Sequence, residues 1–166
     1  VIDNKSDMGQ NDSFNCTPDV VLTGDPGTDQ GNLSSAGYLG GRIMALKNPG
    51  TNVSGTVIVP CDSASQNPFA TLLNGPGEFA GAISPSGSKK APVVRALWQG
   101  IVDSQAYDAT ETYVVGAYLY CGEAAASLAG YYVPATGTKG ATSVAVGICT
   151  HIPTAAEPWL GVASLL

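Results

Sequence analysis

A chain of 166 residues is long enough for one domain with its own core, since a chain of this size buries about 70% of its unfolded surface. Only 12% of its residues are charged, about half of the usual ~25%, while Gly (21) and Pro (11) are plentiful, a composition of short strands and turns. The net charge of −6 with seven Lys and Arg excludes a nucleic-acid partner, because such binding draws its affinity from cations that neutralise phosphates. No run approaches the ~20 apolar residues of a membrane-spanning helix, so no membrane partner is expected.

The charge is unevenly placed. Residues 1–36 hold Asp3, Asp7, Asp12, Asp19, Asp25 and Asp29 against Lys5, whereas residues 37–166 are nearly balanced. Asp, Asn, Ser and Gly dominate that first stretch, which cannot bury enough apolar area to offset its ordering entropy. It is expected to be an extended acidic arm, with Phe14 and the run Val20–Leu22 as short apolar anchors.

From Gly37 to Leu166 the pattern predicts a mostly β domain, a β-barrel or β-sandwich. Arg42–Lys47 is a short apolar run with charged ends, and Thr56–Val59 is β-branched and stopped by Pro60; both predict strands. Residues 62–92 carry four prolines around Phe69–Leu73 and predict an ordered loop region. Pro92–Val102 predicts one longer strand bent at Gly100. Thr112–Val115 and Ala117–Cys121 predict two strands about Gly116. Glu123–Leu128 is rich in Ala but too short to sustain a helix alone, and predicts a turn or one helical coil. Tyr131–Val133, Ser143–Cys149 and Trp159–Leu166 predict the last strands. Strand signals every 10–15 residues point to a sandwich or barrel.

Chemistry-bearing constellations are sparse. The single His, His151, sits beside Pro153 and lacks a Gly-x-Ser-x-Gly elbow. Ser86-Gly87-Ser88-Lys89 matches a Ser-x-x-Lys pattern, but Pro85 and Gly87 mark it as a polar turn. Asp103, Asp108 and Glu111 are near enough in sequence to be weighed as paired carboxylates, against the plainer reading as solvated loop residues. Asp25, Asp29 and Asn32 lack the spacing of a Ca²⁺ loop and are favoured turn residues. Cys16, Cys61, Cys121 and Cys149 contain no Cys-x-x-Cys pair, so no zinc site is expected. Four cysteines allow two disulfides in three connectivities, and a reducing cytoplasm would keep them as thiols. No catalytic residue, cofactor or metal is expected.

One signal points elsewhere. Asn4, Asn11, Asn15, Asn32 and Asn52 each begin an Asn-x-Ser/Thr acceptor, which supports the alternative of a secreted or cell-surface β-sandwich adhesion module carrying N-glycans.

Several motifs carry a resemblance: Gly40-Gly41-Arg42-Ile43-Met44-Ala45-Leu46, Trp98-Gln99-Gly100-Ile101-Val102, Tyr113-x-Val115-Gly116-x-x-Leu119-Tyr120, Val146-Gly147-Ile148, and the ending Pro158-Trp159-Leu160-Gly161-Val162-Ala163-Ser164-Leu165-Leu166. In this order they resemble the decoration, or cement, proteins on the outside of tailed-bacteriophage capsids, over roughly 37–166. The acidic arm and the four cysteines depart from the compact members of that family. The resemblance implies a structural virion protein on the outer capsid surface, assembled in the host cytoplasm. Its implied partner is the major capsid protein, which it clamps as a homo-oligomer, commonly a trimer. Candidate interface residues are Asp3, Asp7 and Asp12 for Lys and Arg of a neighbour, Phe14, Val20 and Leu22 as anchors, and Tyr131, Tyr132 and Trp159 as aromatic hot spots. For Trp98 and for these three aromatics the competing reading is ordinary core packing.

Overall fold

The computed structural model describes residues 11–15, 40–47, 57–61, 67–72, 93–97, 99–122, 127–134 and 144–166. Among these residues the chain is all-β, with no helix and two sheets. The strands are β1 (Asn11–Asn15), β2 (Ile43–Lys47), β3 (Val57–Pro60), β4 (Pro68–Leu72), β5 (Val93–Leu97), β6 (Gly100–Ser104), β7 (Tyr118–Cys121), β8 (Tyr132–Pro134), β9 (Gly147–His151) and β10 (Leu160–Ser164).

The first sheet runs β1-β3-β2-β4-β5 and the second β6-β10-β9-β7-β8. Pairing between the strands is antiparallel in both, apart from one parallel register pair, Asn15↔Val57, where β1 meets β3, and Tyr107 adds an isolated parallel bridge to Tyr132 of β8. Since β1 also pairs with β5 along five residues, the ends of the first sheet meet. A single parallel pair is too little ladder to define a closed barrel.

Burial on both faces explains the apolar start of β2, Ile43 to Ala45, whereas Leu46 is exposed. Ile43 and Ala45 pack with Cys61, Leu119, Cys121, Tyr132, Val146, Cys149, Leu160 and Val162 in a core shared by the two sheets. Met44, Ile58, Ala70 and Leu72 are also fully buried. Near-continuous runs of Val, Ile and Leu are the signature of strands covered on both sides.

Buried hydrogen bonds stitch the sheets together. Ile43 N donates to Gly130 O (2.7 Å), and Gly130 N donates to Cys61 O (2.6 Å). Ser104 Oγ donates to Gly41 O (2.8 Å) and accepts from Ala106 N (3.0 Å). Thr71 Oγ1 and Tyr132 Oη share a bond of 2.5 Å across 61 residues of chain. Each such bond contributes about 1 kcal/mol net, but leaving its polar atoms unmatched in this interior would cost more.

The expected strands in the 37–61 region, around 118–121 and 132–134, and at the C-terminus are present, and several boundaries differ. Residues 62–92, expected as loop, contain β4; Pro68 stands at its first position, where a missing N–H is tolerated. The single long strand expected over Pro92–Val102 is two strands in different sheets, broken before Gly100, whose φ of +121° is a backbone conformation that a β-branched residue would resist. Residues 112–115 form no strand; Ala117 N donates to Val114 O (3.0 Å) in a turn. The strand expected at Ser143–Cys149 is displaced to Gly147–His151. Leu128 lies in a turn closed by Tyr131 N to Leu128 O, and residues 123–126 lie outside the described residues. Of the expected arm, residues 11–15 are β1, a strand of the first sheet. The rest of residues 1–36 lies outside the described residues, as do Trp98, Cys16 and the Ser86–Lys89 turn.

Candidate functional site

The informative surface is the outer face of the second sheet. When one face of an antiparallel sheet packs on a core, the outward positions are ordinarily polar. Here the register pairs Ile101 with Ala163, Ala163 with Ile148 and Ile148 with Tyr118. These four outward residues therefore form one apolar row across β6, β10, β9 and β7. With strands ~4.8 Å apart, the row spans about 14 Å. Their chain neighbours Val162, Gly147 and Leu119 are buried on the inner side. Ile101 is 72% exposed and Tyr118 55%, while Ala163 and Ile148 are half-buried between them. Leu165, two residues beyond Ala163, is also exposed.

The face turns polar toward the start of β10. Gly161 pairs with Asp103 on one side and His151 on the other, with a register shift between Gly161 and Val162. A side chain at Gly161 would meet His151 Cβ at 2.7 Å, Thr150 Oγ1 at 2.7 Å and His151 N at 2.9 Å, so only glycine fits beneath this bulge. His151 Nε2 lies 3.1 Å from Glu157 Oε2, an ion pair when the imidazole is protonated; proximity rather than an aligned hydrogen bond defines the contact. Glu157 is placed by a turn in which Thr154 N donates to Glu157 O and Glu157 N donates to Thr154 Oγ1. Asp103 is exposed beside this group.

Apart from this face, a concavity of about 370 Å³ opens between Tyr107, Glu111, Thr112, Tyr113, Ile152 and Pro153. Its floor is fixed. Tyr113 Oη donates to Tyr132 O (2.9 Å) or Asp108 O (3.1 Å), and its ring meets Tyr107 edge-on at 5.7 Å. Burial pushes the Tyr113 phenol well above its ordinary pKa. Tyr107 Oη donates to Pro158 O at 3.3 Å.

The three acidic residues weighed as a pair-forming group take separate places. Asp103 stands exposed on β6. Asp108 is buried, its Oδ1 accepting from Thr110 N (2.9 Å) and Thr110 Oγ1 (2.7 Å) to hold a turn. Glu111 borders the groove. Among the described residues no three His, Cys, Asp or Glu side chains gather around a metal position. Cys121 Sγ donates to Cys61 O (3.4 Å) and Cys149 Sγ to His151 O (3.5 Å); burial raises the pKa of the Cys149 thiol.

The candidate interface residues are distributed as follows. Tyr132 is fully buried with its hydroxyl on Thr71, so it is a core residue and not a surface anchor; its phenol pKa is raised by the same burial. Tyr131 is half-buried under the Arg42 guanidinium, 5.0 Å from the ring centroid. Trp159 is 37% exposed at the entry to β10, two residues before Gly161. Asp12 and Phe14 lie in β1. Asp3, Asp7, Val20 and Leu22 lie outside the described residues.

The row itself does not emerge from the residue pattern alone. Its signal is nonetheless present: Tyr118-Leu119-Tyr120-Cys121 and Gly147-Ile148-Cys149 are apolar on both parities, where a half-solvated strand alternates. Compared with protein-family models, curated proteins and solved structures, the chain finds no match in any of the three.

Proposed function

We propose that this chain is a structural, protein-binding component of a virus-like shell, a decoration protein that sits on the outer capsid surface and bridges neighbouring subunits of the major capsid protein. The observation that carries the reading is the apolar row Ile101–Ala163–Ile148–Tyr118 on a sheet face that would otherwise meet water. Contiguous apolar residues on a sheet face that is ordinarily polar support a contact with another macromolecule. Two sheets around a shared core accord with the barrel or sandwich that the motif resemblance implies. The motifs at Tyr113–Tyr120 and Trp159–Val162 contribute to β7, β10 and the turns entering them, next to that face.

Bridging works through multivalency. Once one contact forms, the next is intramolecular, with an effective concentration near millimolar for short connections. A homo-oligomer, with a trimer favoured, therefore holds a shell through several individually weak contacts. Asp3, Asp7 and Asp12 add charge-guided contacts to Lys and Arg of the shell, an attraction that salt screens.

The test is genetic and then physical. A major capsid gene is expected beside this one, and the purified chain is expected to cosediment with particles assembled from that neighbour's product. A chain that leaves those particles bare overturns the reading. Glycans at Asn4, Asn11 or Asn52 on the native protein would support the secreted adhesion module in its place.

A further inference from the structure

The outer face of the second sheet has a polarity as well as an apolar row, and that polarity describes its partner. We infer that this face docks a protein surface with an apolar centre and a rim of Lys and Arg. The inference rests on the protein-binding reading above and adds the partner's chemistry to it.

Beyond residue 36 the charge is unevenly divided. Residues 98–166, which include every strand of the second sheet, hold Asp103, Asp108, Glu111, Glu123 and Glu157 against Lys139, a net −4, of which Asp108 is buried and Glu111 lies at the separate concavity. Residues 37–95 hold Arg42, Lys47, Lys89, Lys90 and Arg95 against Asp62 and Glu78, a net +3. At the polar end of the outer face the charged groups are Asp103 and Glu157, with His151 held against Glu157. Protein interfaces set an apolar centre inside a polar rim, and rim charges orient the encounter. The complement of this face is a basic one.

Size disfavours a stable dimer built on this face alone. Four strands ~4.8 Å apart and up to about 17 Å long give the open face a projected area of roughly 240 Å², small beside the ~800 Å² of accessible surface per partner of a standard stable interface. A face of that size suits one contact among several, made with a partner whose charge supplies the orientation.

The test needs no shell. The full chain is immobilised and panned against a random library of 12-residue peptides. Enriched peptides are expected to carry an aromatic or large aliphatic residue and a net positive charge. The double variant Ile101→Thr/Tyr118→Thr should lose at least tenfold in affinity for them. Asp103→Lys, which leaves the apolar row intact, should lose the preference for cationic peptides. Failure to enrich, enrichment of neutral or acidic peptides, or unchanged affinity in both variants overturns the inference. So does self-association in the ultracentrifuge that the double variant abolishes, which would place a second copy on the face. Protection of Tyr118 from iodination in the isolated monomer would place a segment of the same chain there and overturn the inference equally. Because peptides replace particles, a failure here leaves the shell-binding result to stand or fall separately.

Discussion

Tyr118 and Leu119 are neighbours in β7, yet they live in different solvents. Leu119 is fully buried against Ile43, Tyr132 and Val162, while Tyr118 is more than half exposed. The same contrast repeats at Ala163 beside Val162 and at Ile148 beside Cys149. Both faces of the second sheet are apolar, but the outer face is covered only at β8, where Val133 is fully buried, and stays open along β6, β10, β9 and the start of β7. Core packing therefore accounts for one parity of these strands and leaves the other unexplained. The contact with another protein proposed above would account for a row such as Ile101–Ala163–Ile148–Tyr118.

The contrast is most sharply broken at Tyr132, the largest fully buried side chain among the described residues. Tyr132→Ala should destabilise the fold by about 3–5 kcal/mol, because it opens a cavity and removes the partner of the Thr71 hydroxyl. Urea denaturation reads this directly. A loss below about 1 kcal/mol would mean that the shared core is not organised around this ring.

A smaller effect is expected at the seam between the apolar and polar parts of the outer face. Gly161→Ala places a methyl group against His151 Cβ, Thr150 Oγ1 and the backbone N of His151, all within 3.0 Å. Because one of those atoms is backbone, relief requires the β9 bulge to move, at about 1–3 kcal/mol. The melting temperature should fall, and hydrogen exchange of the β9–β10 ladder should accelerate more than that of β7–β8.

The inner face also predicts a pH response. Burial holds the Tyr132 and Tyr113 phenols neutral well above their ordinary pKa of about 10. Above that pH the unfolded chain loses phenolic protons that the folded chain keeps, so the unfolded state gains stability. Stability is thus full below about pH 10 and declines as pH rises toward the raised folded values. For Tyr132 the slope reaches at most about 1.4 kcal/mol per pH unit. Tyr132→Phe should flatten the decline between pH 10 and 11; an unchanged slope would mean that other groups control it.

Much of the architecture was legible in the sequence, and the exceptions share a cause. Ile43–Lys47, Val57–Pro60 and Tyr118–Cys121 announced themselves because their strand runs are bounded by Gly, Pro or charge. Pro68–Leu72 did not, because five residues with a leading Pro, set among further prolines, look locally like loop; pairing with Ile43 and Met44 makes them a strand. Pro92–Val102 read as one element because local pattern does not say which sheet a strand joins. The outer face was hidden for a related reason. Which parity of an all-apolar run faces the core is decided by register with distant strands, here Ile101 with Ala163 and Ile148 with Tyr118. Tyr131 and Tyr132 were equal candidates for an anchor until the fold turned one inward.

The smallest expected effect on stability is the one that separates the two faces most cleanly. Ile101→Thr and Tyr118→Thr keep a β-favouring residue in place and remove apolar surface that, in the isolated chain, mostly contacts water. Only the cross-strand pairs with Ala163 and Ile148 are lost, worth about 0.2–1 kcal/mol each. Together the two substitutions should shift stability by about 1 kcal/mol or less. If they instead cost as much as Tyr132→Ala, the row would be part of the core and the outer face would be covered by the chain itself. A small loss of stability accompanied by loss of binding would show that apolar surface in this sheet serves two separate purposes, one on each parity of the same strands.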